Sequence, residues 1–269
     1  MNTTKVGFVG TGNMGGAIAM AVSKAGYEVY LSSHSPLKAE QIKNNCTNAY
    51  IVSNRDILDI CDYVYIGVKP QMLDTLVEEI KGYDTENSPI FVSMLAGVDI
   101  STLSYKLGDK IIRIMPNTPV KVGEGMTTYS TSDSVSKDEL DVWCDMMRYS
   151  GKIDMVDERL IDATTVIAGC SPAYAYYFAN ALIEAGVEIG LDQNQAKKYV
   201  AQMLKGVSAM ITDSEDSPLK LMQDVCSKGG ATIRGVEVLQ SEKLQEIVNI
   251  AVKSSFERTK ELSKTVKND

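Results

Sequence analysis

Six residues near the start of the chain, Gly10-Thr11-Gly12-Asn13-Met14-Gly15, have the types and spacing needed to hold a pyrophosphate. Gly10 permits a tight turn, Gly12 lets backbone approach the phosphates, and Gly15 lets a following helix pack closely on the preceding strand. The motif follows the apolar run Lys5 to Val9 and precedes the helical stretch Ala17 to Ala25. The unpaired N–H groups and positive dipole end of that helix would then face the phosphates. This context predicts dinucleotide binding; the competing reading is a glycine-rich turn with no ligand. Cofactor choice falls to the end of the second strand, where an acidic residue would bond a ribose 2′-hydroxyl. That segment reads Leu31-Ser32-Ser33-His34-Ser35-Pro36-Leu37-Lys38, without a carboxylate, and its hydroxyls, His34 and Lys38 could meet a 2′-phosphate. NADPH is therefore expected, with NADH as the alternative. For His34 an exposed turn position is as good a reading as a ligand contact.

Three further segments fall at strand ends, where open α/β sheets bind ligands. They are Val68-Lys69-Pro70-Gln71, Ser93-Met94-Leu95-Ala96-Gly97 and Met115-Pro116-Asn117-Thr118-Pro119. The first two could be plain strand terminations. In the third, two prolines fix the loop while Asn117 and Thr118 offer hydrogen bonds, which points to a site role. With a single histidine, His34, a His-rich metal site is excluded. The five cysteines are scattered and form no C-x-x-C, so neither a zinc site nor a disulfide framework is readable, and a reducing cytoplasm fits best.

The elements that must position these residues follow from the apolar patterning. Lys5 to Gly10, Glu28 to Ser32, Tyr63 to Val68, Pro89 to Leu95 and Ile111 to Met115 read as strands covered on both faces, alternating with amphipathic stretches. Gly125 to Ser130 and Lys152 to Val156 continue the sheet, and Ser136-x-x-Glu139 is a capping box for a helix through Met147. After residue 157 only helical periodicity remains. Tyr174, Phe178, Ala181, Ala185 and Ile189 mark a buried helix that Gly190 ends; Asp192-x-x-Gln195 caps another to about Ile211; Pro218 opens a short one; Glu242 to Lys264 forms a long last helix. The expectation is a doubly wound α/β domain, residues 1–157, followed by an all-α domain, residues 158–269. The apolar surface on helices 172–190 and 192–211 exceeds what so few helices can cover, so a partner subunit is expected. A net charge of −8 over 269 residues, with no basic block, argues against nucleic acid. No leader pattern opens the chain, and the longest uncharged run, Ala163 to Ile183, is too often interrupted by polar residues to cross a bilayer.

Taken in order, Gly-x-Gly-Asn-Met-Gly, Val-Lys-Pro-Gln, Ala-Gly-Val, Met-Pro-Asn-Thr-Pro, Ser-Pro-Ala-Tyr (171–174), Ala-Gly-Val-x-x-Gly-Leu (185–191) and Gly-Gly-Ala-Thr (229–232) make the chain resemble the pyrroline-5-carboxylate reductases over essentially its full length. The resemblance implies an N-terminal Rossmann-type domain and a helical C-terminal domain that dimerises, often with dimers assembled into rings. It implies reduction of 1-pyrroline-5-carboxylate to L-proline with NAD(P)H. By motif, Gly10, Thr11, Gly12, Asn13 and Met14 match the phosphate loop, Ser33 the 2′-position contact, and Asn54 a residue near the adenosine. Val68, Lys69, Pro70 and Gln71, with Met94, Leu95 and Ala96, match segments beside the nicotinamide. Glu215, Gly229, Gly230, Ala231 and Thr232 match the pocket for the cyclic imine, near the dimer interface.

On this reading Thr232 is the catalytic residue, its hydroxyl bonding the imine nitrogen, while amides around 229–232 open a helix and hold the carboxylate. The chain departs from the family pattern at Ser171 (for Gly), Lys228 (for Pro) and Asp224 (for Asn), which bears on substrate range and rate. Two other readings compete. A 3-hydroxyacid dehydrogenase of related design would need a lysine near Cys170 to Asn180, where there is none. A non-catalytic nucleotide-binding regulator would account for the departures, but not for the retained Glu215, Ala231 and Thr232.

Overall fold

A computed structural model describes residues 4–80 and 88–267. Up to Met155 the chain alternates strands and helices: β1 (Lys5–Val9), α1 (Asn13–Lys24), β2 (Glu28–Ser32), α2 (Pro36–Lys43), β3 (Ala49–Ile51), α3 (Asn54–Ile60), β4 (Tyr63–Ile66), α4 (Leu73–Glu79), β5 (Ile90–Ser93), α5 (Ile100–Leu107), β6 (Ile111–Met115), β7 (Gly125–Thr131), α6 (Lys137–Met146) and β8 (Gly151–Met155). The strands form one sheet in the order β3-β2-β1-β4-β5-β6-β7-β8. Chain direction reverses its march across the sheet between β1 and β4, and that switch point opens a crevice at the carboxyl ends of those strands.

The period-two alternation of strand side chains sorts the apolar residues into two cores. Val6, Phe8, Tyr63, Tyr65, Val92, Ile112 and Ile114 pack on one face with α1 and α6. Val9, Val64, Ile66, Phe91 and Ile111 pack on the other with α3, α4 and α5. Each large side chain buried in this way contributes about 1.5–3 kcal/mol. The two-sided coverage explains why the central strands read as continuous apolar runs.

The sheet differs from the expected one in two ways. β3 is an additional edge strand of three residues, too short for any periodicity to announce. β7 runs antiparallel to β6, so the sheet is mixed. Between Ile112 and Ile114, Arg113 is buried in β6, where its guanidinium meets Glu158 at 2.9 Å and Asp162 at 3.5 Å. A buried cation of this kind is tolerated only when paired.

By compactness the chain divides into Met1–Cys170 with Ser255–Asp269, and Ser171–Ser254. After β8 come α7 (Ile161–Thr164) and a π-helical turn, Thr165–Cys170, which leads into α8 (Ser171–Glu188). Then follow α9 (Gln193–Asp213), α10 (Pro218–Asp224), α11 (Ala231–Ser241) and α12 (Leu244–Lys267). The capping boxes at Ser136/Glu139 and Asp192/Gln195 form as expected. In α9 the buried Ala196 packs where a side chain on Gly186 of α8 would intrude, its added carbon falling 3.2 Å away.

The expectation of a buried α8 is corrected within the single chain. Gly186 is its only buried residue among those described, and Tyr177 is 81 % exposed. Met203, Val207, Met210 and Ile211 of α9, Val238 of α11 and Ile247 and Ile250 of α12 are exposed as well. The helices of this unit are too few to cover one another's apolar faces. No helix among the described residues is long and apolar enough to cross a membrane.

Candidate functional site

The glycine loop is shaped by close backbone approach. Gly10 sits at φ +86°, a left-handed conformation that a side chain would strain. Its amide and that of Thr11 donate to the carbonyl of Ser32, at 3.1 and 3.3 Å, which ties the loop to the end of β2. A β-carbon on Gly15 would fall 2.9 Å from the Gly10 carbonyl oxygen, and one on Gly67, just past β4, 2.7 Å from the same oxygen. Both positions therefore exclude larger residues. At Gly12 a β-carbon would meet nothing within 4 Å. That space is open, and it lies at the N-cap of α1, whose first turn has neither a side-chain cap nor an acidic residue. Uncapped first-turn amides attract an anion.

Two depressions flank this loop and share Val68. One, of about 270 Å³, is lined by Gly10, Ser33, His34, Ser53, Asn54 and Glu79, among others. The other, of about 340 Å³ and mostly apolar, is lined by Gly12, Asn13, Met14, Gly67, Met94, Met115 and Pro116. The first suits the ribose and adenine of a dinucleotide, the second a flat nicotinamide ring, with the loop amides between them for the pyrophosphate. Asn54 opens α3 behind the capping box of Ser53 and Asp56. Its Nδ2 donates to Glu79 at 3.0 Å, and its buried Oδ1 has no partner among the described residues.

Several expected residues contribute differently. Thr11 is buried, with its hydroxyl donating to the Ser32 carbonyl at 3.3 Å, so it braces the loop. Leu95 sits in the core, so only its backbone is available to a ligand, whereas Ala96 is exposed. Lys69 precedes a 3-10 turn, Pro70–Met72, that contains Gln71. Lys38 is exposed on α2 and does not line the first depression.

The Met115–Pro119 loop reaches the second depression through Met115 and Pro116, whereas the Asn117 side chain is engaged elsewhere. Its Oδ1 accepts from the Met126 amide and its Nδ2 donates to the Ala168 carbonyl, both at 2.9 Å, so its amide is spent on structure. Gly67 and Glu79 are among the lining residues that sequence reading misses. Gly67 reads in the sequence as part of the apolar strand Tyr63 to Val68. Glu79 lies far along the chain from the glycine motif.

Marked titration shifts fall outside these depressions. Burial pushes the Cys61 thiol up to about 12, and burial with a bond to Glu28 pushes the Tyr30 phenol up to about 12. The five cysteines are free thiols. No cluster of potential metal ligands occurs among the described residues.

In the second unit, Gly230 caps α11 without any side-chain bond, leaving the first amides of that helix free of a side-chain cap. Gly229 before it adopts φ +73°, and Ala231 and Thr232 are exposed in the first turn. Glu215 is exposed in the link between α9 and α10. Lys228 is exposed, and Asp224 is paired with Lys220 one helical turn away.

Comparison with known proteins adds a second line. Residues 158–262 match the family described as pyrroline-5-carboxylate reductase dimerisation, and residues 5–97 the family described as NADP oxidoreductase coenzyme F420-dependent. Human pyrroline-5-carboxylate reductase 2 is 36% identical over 96% of this chain and 83% of its own length. The Escherichia coli pyrroline-5-carboxylate reductase is 32% identical over 97% of this chain and 99% of its own. A Plasmodium falciparum pyrroline carboxylate reductase crystallised with NADP bound superimposes with a TM-score of 0.87 at 31% identity, covering 98% of this chain and 99% of that one.

Proposed function

Because the chain belongs to the pyrroline-5-carboxylate reductase family, we propose that its own residues carry the NAD(P)H-dependent reduction of 1-pyrroline-5-carboxylate to L-proline. The observation that carries this reading is the uncapped glycine turn between two depressions of unlike polarity. A reduced nicotinamide held there would supply a hydride to the carbon of the C=N bond, while the ring nitrogen takes up one proton that passes through the Thr232 hydroxyl and is restored to it from solvent.

The chain's residues divide the remaining work. Amides at the start of α1 hold the pyrophosphate, Ser33 and Asn54 the adenosine end. Val68 to Gln71 and Met94 to Ala96 border the nicotinamide, where the apolar lining excludes water. In the helical domain, residues 158–269, the uncapped amides at Gly230 to Thr232 hold the substrate carboxylate as a helix N-terminus does. The Thr232 hydroxyl donates to the ring nitrogen, favouring its gain of electron density, and Glu215 lines the same pocket. Fixing two reactants in register can account for roughly 7–11 kcal/mol of barrier lowering.

The exposed apolar faces of α8, α9, α11 and α12 support a homo-oligomer. We place the minimum at a dimer, with further assembly into rings of dimers and a cytoplasmic location as extensions of the same reading. The test is oxidation of NADPH and of NADH on adding pyrroline-5-carboxylate or its six-membered homologue, with sedimentation alongside. Turnover of the five-membered imine by a dimer or larger species is the expected result. Tight nucleotide binding without turnover of any imine would favour a regulator instead.

A further inference from the structure

We propose that Glu79 sets how far the groove discriminates between NADPH and NADH. This inference rests on the cofactor reading above. Dinucleotide sites that favour NADH generally take a carboxylate from the end of the second strand to accept from the ribose 2′-hydroxyl. In this chain that strand end carries Ser32, Ser33 and His34, and all three line the adenosine depression without a carboxylate among them.

The structure brings in an acid from elsewhere. Glu79, from the last turn of α4, lines the same depression of about 270 Å³. Its Oε2 accepts from Asn54 Nδ2 at 3.0 Å, while Asn54 Oδ1 is buried with no partner among the described residues. The Asn54 amide is thus oriented by Glu79, and Asn54 itself is fixed at the start of α3 by the Ser53 and Asp56 capping box. The second oxygen of Glu79 accepts no hydrogen bond from a described residue.

Glu79 is exposed at the rim of this depression, and its carboxylate acts on the two cofactors in opposite senses. It offers an acceptor to a 2′-hydroxyl and repels a 2′-phosphate, and both effects move preference toward NADH. Ser33 and His34 pull the other way. Glu79 is therefore a specificity-determining residue, and through Asn54 a positioning one.

The test uses the full chain and dissociation constants for both cofactors measured by titration. Glu79→Gln keeps an oxygen for Asn54 and removes the charge. The ratio of the NADH constant to the NADPH constant should rise by at least about threefold, and the rise should shrink as salt screens the site. Glu79→Asp, which keeps the charge, should hold the ratio within about twofold of wild type. Glu79→Gln leaving the ratio unmoved, or weakening both cofactors in parallel as a purely structural role would, overturns the inference while the cofactor reading stands. A wild-type chain that binds neither nucleotide overturns both.

Discussion

The Asn117 side chain donates to the carbonyl of Ala168 at 2.9 Å and thereby clamps the Met-Pro-Asn-Thr-Pro loop onto the π-helical turn that precedes Ser171. Its other end takes the Met126 amide at the start of β7. One buried amide thus joins the loop after β6, the next strand and the entry to α8. The residue four on from Ala168 is Pro172, which has no N–H to give its carbonyl, and Asn117 supplies a donor instead.

Asn117→Ala should therefore strip a donor from Ala168 and an acceptor from Met126 together. The expected loss is about 1–3 kcal/mol of unfolding free energy, the cost of leaving buried polar groups unpaired. Denaturant titration of the free protein measures it, and a loss below about 0.5 kcal/mol would assign the clamp no energetic role.

Gly12→Ala separates fold from function at the glycine loop. Because an added β-carbon there meets nothing within 4 Å, the stability of the free protein should change by less than about 1 kcal/mol. The same methyl group would stand in the path of the pyrophosphate, so NADPH affinity should fall by about tenfold or more, or about 1.4 kcal/mol. Equal affinity for wild type and variant would place the phosphates elsewhere.

Acid stability should respond to Asp145. The Tyr27 hydroxyl, donating at 2.7 Å, and then Arg148 hold this carboxyl below the usual carboxylate range. A depressed folded-state pKa adds stability that is fully present above the ordinary value near 4 and is lost as pH falls through the lowered one. Asp145→Asn should flatten that part of the acid unfolding curve. An acid limb identical to that of wild type would remove Asp145 from the linkage.

Thr232→Ala should lower kcat/KM for pyrroline-5-carboxylate by about one to two orders of magnitude, corresponding to about 1.4–2.7 kcal/mol. Nucleotide affinity should be retained, since Thr232 lies outside the glycine loop and both depressions. An unchanged kcat/KM would take this hydroxyl out of the mechanism.

Much of this architecture was readable because its causes are local. Glycine spacing after an apolar strand, the boxes at Ser136 and Asp192, and Pro218 at a helix start each reflect a backbone constraint that residue type alone imposes. What escaped was set by tertiary partners. An apolar run carries no direction, so the antiparallel pairing of β7 could not be told from a parallel one. Asn117 between prolines looks the same whether its amide serves a ligand or Ala168. Arg113 interrupts an apolar strand at a single position, and only the fold reveals Glu158 and Asp162 opposite it. Glu79 reaches the adenosine depression because β4 neighbours β1, a relation no local spacing encodes.

The most direct test of the central claim follows the transferred hydrogen itself. NADPH carrying deuterium on the transferable position of the nicotinamide is incubated with the full chain and pyrroline-5-carboxylate, and the product is examined by mass spectrometry and NMR. L-proline bearing a single deuterium on the carbon of the former C=N bond is the predicted result. Oxidation of the nucleotide without label in the product, or no proline at all, would contradict it.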